Sequence, residues 1–114
     1  MEEFKILDIE EEVLASRIEL IIKECVLISK EIRESIDENK TNDELLDDEK
    51  FRSWVILNEI INSLQKNDDN FNRMFYYLYE KCKKDVNSLI SFYDIEIEKD
   101  ENNNIKKITL INYE

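Results

Sequence analysis

The chain has 114 residues with 28 acidic and 16 basic side chains, a formal net charge of −12, and no histidine, glycine or proline. Phosphate-binding glycine loops and dinucleotide fingerprints are excluded, because both need glycine where the backbone approaches phosphate. Histidine-based general bases, Ser-His and Cys-His nucleophile pairs, and histidine-ligated zinc are excluded as well. With 42% hydrophobic residues the chain can build a core. Its length predicts a single domain over residues 1–114.

The first predicted element is a long helix that begins just after Asp8 and ends near Asp37. Asp8 and Glu11 have the spacing of a capping box, in which the first side chain accepts from free amides of the first turn. Before it, residues 4–7 fit either a short strand or the start of the helix. An apolar stripe at intervals of three and four predicts the core face of this helix: Leu14, Ile18, Ile21, Cys25, Ile28, Ile32 and Ile36, with Ile22 and Val26 widening it.

The same helix carries a second apolar seam. Val13, Leu20 and Leu27 recur every seven residues and lie well away from the first stripe on a helical wheel. A helix that is apolar on two sides is either enclosed in the centre of a fold or makes an additional contact. The seam is therefore a candidate surface for association with a second copy of the chain.

Two further helices are predicted, over about residues 43–66 and 69–92. Thr41 and Glu44 form a possible capping box for the first of these, although the acidic run 47–49 also suits a helix start, so that the helix begins or restarts there. Residues 68–70 supply caps for the next helix. The apolar stripes are Leu46, Trp54, Leu57, Ile60, Ile61 and Leu64 in one helix and Phe71, Phe75, Leu78, Cys82, Val86, Leu89 and Tyr93 in the other.

The last part of the chain changes to a period of two, which predicts an antiparallel hairpin with strands ending near Glu98 and beginning at Ile105. An asparagine-rich turn joins them, since asparagine tolerates a left-handed backbone. A hairpin alone is marginal in water, so it must pack on the helices or take residues 4–7 as a third strand. The predicted register pairs Ile97 with Ile108, Ile95 with Leu110, Glu98 with Lys107 and Glu96 with Thr109.

Together these elements predict an α+β fold that is predominantly helical: an up-down bundle of three helices with a C-terminal antiparallel β-hairpin. Cys25 and Cys82 both lie within apolar helical patterns, which indicates reduced core cysteines rather than a disulfide framework. The acidic N-terminus lacks the basic region of a signal peptide, and no apolar run approaches the ~20 residues that span a bilayer. We therefore expect a cytoplasmic protein with no membrane contact.

Charge is concentrated in the first half, where residues 1–50 carry a net −10 and the remainder −2. Such a field repels nucleic-acid backbones and steers basic proteins towards the chain, although the acidity could equally serve solubility alone. The segment 37–49 is a candidate partner-binding surface, with a solvated, capped interhelical loop as the alternative; an EF-hand is disfavoured because its glycine and ligand order are missing. The candidate contacts are Asp37, Glu38, Asp43, Glu44, Asp47, Asp48 and Glu49.

Tyr76, Tyr77 and Tyr79 lie in an aromatic run and are either partner anchors or residues that flank the hairpin or cover the long helix. We expect no catalytic residue, cofactor or metal, and no direct nucleic-acid binding. The leading hypothesis is an acidic binding protein that occludes a basic surface of a partner protein. Toxin-immunity proteins and phage-encoded antagonists share this size and charge. The alternative is a homo-oligomeric structural or assembly adaptor, for example a homodimer, that associates through Val13, Leu20 and Leu27.

Overall fold

A computed structural model describes residues 9–112 and shows a mostly helical chain with a C-terminal two-stranded antiparallel sheet, which confirms the predicted α+β class. The up-down arrangement of three helices stays a prediction, as does the single domain. The proposed N-terminal strand and the Asp8 cap lie outside the described residues. The elements are α1 (Glu11–Ser35), α2 (Asn42–Leu46), α3 (Glu49–Gln65), α4 (Asp69–Lys81), α5 (Val86–Ile90), β1 (Tyr93–Lys99) and β2 (Ile105–Asn112).

The long helix α1 packs one face on the rest of the described chain. Glu10 occupies its N-cap without a side-chain cap hydrogen bond, and its end at Ser35 falls two residues before the predicted one. Val26, which was expected to widen the core stripe, is exposed. The buried residues of α1 are Leu14, Ile18, Ile21, Cys25 and Ser29, four of which belong to the predicted stripe.

The central element is α3 rather than α1. It contacts α1, α2, α4, α5 and both strands, and Leu57, Ile60 and Leu64 within it have no exposed surface. The predicted restart at the acidic run is confirmed. The Thr41–Glu44 capping box starts α2, and the Asp48 side chain then accepts from the backbone N–H of Lys50 to start α3.

The third predicted helix, 69–92, is wrong as a continuous element. It ends at Lys81 and resumes at Val86, because Lys83 and Lys84 both have positive φ, at 56° and 62°. The turn between α4 and α5 is a Schellman motif. The backbone N–H of Lys83 donates to the Glu80 carbonyl (3.0 Å), and the backbone N–H of Lys84 donates to the Tyr79 carbonyl (2.8 Å). The Asp85 side chain then caps α5. The apolar stripe continues through the break, so the sequence pattern did not reveal it.

The hairpin has the predicted register: Ile97 lies opposite Ile108, and Ile95 opposite Leu110. A register shift after Glu98 marks a β-bulge beside the turn. Asn103 has φ 65°, which shows an asparagine at the position where many turns place glycine. Tyr93 and Ile95 bury the inner face of β1 in the same hydrophobic cluster as α1, α3, α4 and α5.

Both cysteines are free thiols. Cys25 is completely buried in the core, and burial, followed by the nearby Glu24 carboxylate, raises the pKa of its thiol to about 12. Cys82 is half-buried at the end of α4, and burial raises its pKa as well. Both thiols are therefore held in the protonated, poorly nucleophilic form, which is typical of structural cysteines.

Candidate protein-interaction site

The acidic segment 37–49 and the hairpin turn 99–105 lie side by side, although they are about 50 residues apart in sequence. Lys99 Nζ lies 3.7 Å from Asp43 Oδ1, and residues of both segments line one groove. We call this region, residues 37–49 together with 99–105, the acidic end. At the acidic end, the negatively charged segment from the first half of the sequence contacts the turn of the β-hairpin.

Part of the acidic segment holds its own backbone in place. Asp48 Oδ2 accepts from Lys40 Nζ at 2.6 Å, and this hydrogen bond, followed by the N–H of Lys50, lowers the pKa of the Asp48 carboxyl. The same pair raises the pKa of Lys40. Glu44 is engaged in the capping box with Thr41. These carboxylates order the loop, as expected for a capped interhelical loop.

The other carboxylates of the segment are more open. Asp37 accepts from the backbone N–H of Asn39 at 2.9 Å and is otherwise exposed. The Asp43 side chain is 79% exposed despite its long ion pair with Lys99, and such exposed pairs add little stability. Within residues 9–112, no hydrogen bond or ion pair engages the exposed side chains of Glu38, Asp47 and Glu49. The segment therefore keeps a negative surface available to a partner.

A groove of about 390 Å³ opens between α2 and the hairpin turn. The apolar part of its lining, which we call the floor, includes Ile105, an aliphatic residue at the start of β2 that is 49% exposed. The polar part, which we call the rim, includes both members of the Asp43–Lys99 pair. The remaining lining residues are Thr41, Leu45, Leu46, Phe51, Asn103 and Asn104.

The single tryptophan lies beside the same loop. Trp54 lines a second cavity, of about 250 Å³, with Asp37, Glu38 and Leu45 among its neighbours. Its ring contacts Phe51 at a centroid distance of 5.9 Å, and the Arg33 guanidinium lies 5.6 Å from it. Trp54 therefore provides an intrinsic fluorescence reporter beside the acidic end.

The three tyrosines lie elsewhere, along the contact between α1 and α4. Tyr76 is buried, accepts from Arg17 Nη1 at 2.7 Å and donates to Glu80 Oε1 at 2.6 Å. Tyr79 is also buried and donates to Glu24 Oε2 at 2.9 Å; burial, followed by this hydrogen bond, raises its pKa to about 12. These two rings cover the long helix, which was the alternative to partner anchors.

Tyr77 is half-buried against the hydrophobic cluster, with Lys81 Nζ 5.7 Å from its ring centroid. Like its two neighbours, it belongs to α4, whereas the acidic segment follows the C-terminal end of α1. None of the three tyrosines is among the residues that line the groove at the acidic end. The three tyrosines are therefore not part of the acidic end.

The second apolar seam of α1 is open to solvent in the described chain. Leu20 is 65% exposed, Leu27 is 64% exposed, and Val13 is exposed as well. Beside Leu20, a surface groove of about 330 Å³ runs between α1 and α4 and is lined also by Arg17 and Lys84. The seam is thus a second candidate surface, separate from the acidic end.

Comparison of the chain with protein-family models, with curated proteins and with solved structures found no match. None of the helices within residues 9–112 has the length and the hydropathy that a membrane-spanning helix requires. The same range holds no group of three or more cysteine, aspartate or glutamate side chains arranged to bind a metal ion.

Proposed function

We propose that this chain is a non-enzymatic acidic binding protein that covers a basic surface of a partner protein. An inhibitor of the toxin-immunity or phage-antagonist type would act in this way. The partner is a protein because the negative field repels nucleic acids and anionic lipids. The two free thiols are consistent with a cytoplasmic location.

The observation that carries the proposal is the exposure of carboxylates at the acidic end. Asp43 is mostly exposed, and Glu38, Asp47 and Glu49 are exposed without a described cationic partner. The loop that presents them is ordered by the Thr41–Glu44 capping box and the Lys40–Asp48 pair. Because an ordered loop loses little conformational entropy on binding, the carboxylates are prepared for a complementary surface.

The test begins with affinity purification of the tagged protein from its native host at low salt, followed by binding measurements on the captured protein. We expect a basic partner whose own activity is blocked by this chain. Raising the salt concentration from about 50 to 500 mM should weaken binding at least about tenfold, since long-range attraction between exposed charges is screened. Binding that is insensitive to salt would contradict the proposal.

A matched pair of variants locates the contact. The first variant removes four negative charges from the acidic end and leaves the Lys40–Asp48 pair intact. Its substitutions are Glu38→Gln, Asp43→Asn, Asp47→Asn and Glu49→Gln. The control removes four charges from exposed α1 positions: Glu11→Gln, Glu12→Gln, Glu19→Gln and Glu31→Gln. We expect a loss of at least about tenfold in affinity for the first variant and a much smaller loss for the control. Equal losses would show that net charge, rather than this surface, attracts the partner.

The exposed seam supports a second candidate function, a homo-oligomeric adaptor that associates through α1. Leu20 and Leu27 are each about two-thirds exposed and lie two turns apart on one face of α1. With Val13, three side chains supply much less area than the ~800 Å² per partner of a typical stable interface. A dimer built on this seam would therefore be weak and dependent on concentration.

Light scattering across a concentration series tests this second candidate. A dimer that forms above about 100 µM and disappears in the Leu20→Glu, Leu27→Glu double variant would support it, because a charge placed on each side of a two-fold interface is repelled by its own copy. A monomer at every concentration would exclude self-association through α1. The acid variant of the preceding test is the control and should leave the oligomeric state unchanged.

A further inference from the structure

We infer that the groove between α2 and the hairpin turn holds one apolar side chain of a partner segment that is otherwise rich in lysine and arginine. This inference rests on the proposed function and makes it more specific. It replaces a general attraction between charged surfaces with an apolar anchor that has a defined position. The occupant to which it commits is a basic segment of another protein with a leucine-like residue at its centre.

The floor of the groove explains the apolar part of the recognition. Ile105 is 49% exposed and lines the groove together with the half-buried side chains of Leu45, Leu46 and Phe51. Exposed apolar surface in a concave site that is bordered by polar groups is the usual form of an interaction hot spot. A volume of about 390 Å³ accommodates one large aliphatic side chain together with part of the backbone that carries it.

The rim explains the basic part. Asp43 lines the groove, and the exposed carboxylates of Asp47, Asp100 and Glu101 belong to the two segments that form it. Lys99 is the cation of the rim, and its 3.7 Å contact with the largely exposed Asp43 is too long for a strong hydrogen bond. Cationic residues on either side of an apolar anchor would therefore meet carboxylates, and one of them can compete with Lys99 for Asp43.

Both walls of the groove are fixed before binding. The helix α2 is held at its start by the capping box and at its end by the Asp48 cap of α3. The hairpin turn is held by Asp100, whose Oδ1 accepts from the backbone N–H groups of Asn102 and Asn104, at 2.9 and 3.0 Å. A preformed groove binds an apolar side chain more tightly than a mobile loop would, because less entropy is lost.

The test uses two fluorescein-labelled nonapeptides, each with eight lysines around a central residue that is leucine in one and serine in the other. Binding is followed by anisotropy at about 50 mM salt and checked by Trp54 fluorescence with unlabelled peptide. Because burial of a leucine side chain favours association by more than tenfold when complete, we expect the leucine peptide to bind about tenfold more tightly than the serine peptide.

Two matched isoleucine variants locate the effect. Ile105→Thr removes apolar surface from the floor of the groove and keeps a β-branched residue, so the strand should persist. Ile111→Thr makes the same change further along β2, opposite Asp94 and outside the groove. We expect Ile105→Thr to bring the two peptides within about twofold of each other and Ile111→Thr to leave the tenfold preference unchanged.

The possible failures separate this inference from the proposed function. If both peptides bind with equal affinity and release with salt, the acidic surface stands and the groove assignment is overturned. If neither peptide binds, both are overturned. If the leucine preference falls as the protein concentration rises, a second copy of the chain occupies the groove, and the assignment to a basic segment is overturned.

Discussion

Replacing Leu57 with alanine is expected to lower the free energy of unfolding by about 3–5 kcal/mol, the range for truncating a fully buried leucine. Leu57 has no exposed surface and lies in α3, the helix that contacts α1, α4 and both strands. The cavity left by three missing carbon atoms cannot be filled without moving several elements at once. Because domains of this size are stable by only ~5–15 kcal/mol, urea unfolding should show a large shift in midpoint.

The control is Leu27→Ala, the same substitution at a position of α1 that is 64% exposed. Its effect on the free energy of unfolding should stay within about 0.5 kcal/mol, since little apolar area is lost and alanine favours the helix. A cost for Leu27→Ala that approaches the cost for Leu57→Ala would show that the outer face of α1 is covered in solution. The comparison thus measures how much a buried leucine contributes to the free energy of unfolding, and it tests in the same experiment whether the apolar seam of α1 is exposed.

Local patterns were sufficient to predict the elements whose determinants are close together in sequence. The register of the hairpin follows from the alternation of Ile95 and Ile97 with acidic residues, and a shift by one residue would have turned the apolar side chains outwards. The restart of the second helix follows from Asp48, whose side chain caps α3. In both cases one short stretch of sequence contains the whole physical cause.

The break between α4 and α5 could not be read in the same way. Cys82, Val86 and Leu89 continue the spacing of the stripe across the break, and Leu89 is fully buried in the core. A short turn that preserves the direction of the apolar face leaves no trace in hydrophobic periodicity. The one local signal was Asp85, an N-cap residue placed just before an apolar run, and it competed with a strong pattern.

In the candidate site, too, features that depend on nearby residues were predictable from the sequence, and features that depend on distant residues were not. The acidic segment was visible as composition, and the capping roles of Glu44 and Asp48 could be expected from their spacing. The groove was not visible, because Ile105 and Lys99 come from a hairpin about 50 residues further along the chain. Long-range packing also decided the place of Tyr76 and Tyr79, whose hydroxyls find polar partners on α1 while their rings are buried. Sequence periodicity predicts on which face of a helix or strand a residue lies, but it does not predict which residues of other elements pack against that face.

Because the chain has no glycine, residues with a Cβ atom occupy the left-handed positions of the turn after α4, and the cost of this can be measured. Lys83 and Lys84 adopt left-handed backbone angles, which cost an L-residue with a Cβ atom roughly 1–2 kcal/mol each. Glycine removes that cost and loses more entropy on folding, which offsets part of the gain. We therefore expect the Lys83→Gly, Lys84→Gly double variant to raise the free energy of unfolding by about 1–2 kcal/mol, with the midpoint of thermal unfolding about 5 °C higher.

The matched control is Lys81→Gly, the same substitution two residues earlier, in the last turn of α4. There the backbone is helical, so glycine should lower the free energy of unfolding, by about 1 kcal/mol. The opposite signs distinguish backbone conformation from the loss of lysine charge, because each substitution removes a cation near the same helix end. A double variant less stable than the parent would mean that the lysine side chains stabilise the turn by more than its left-handed angles cost, and the Schellman turn would then depend on these side chains.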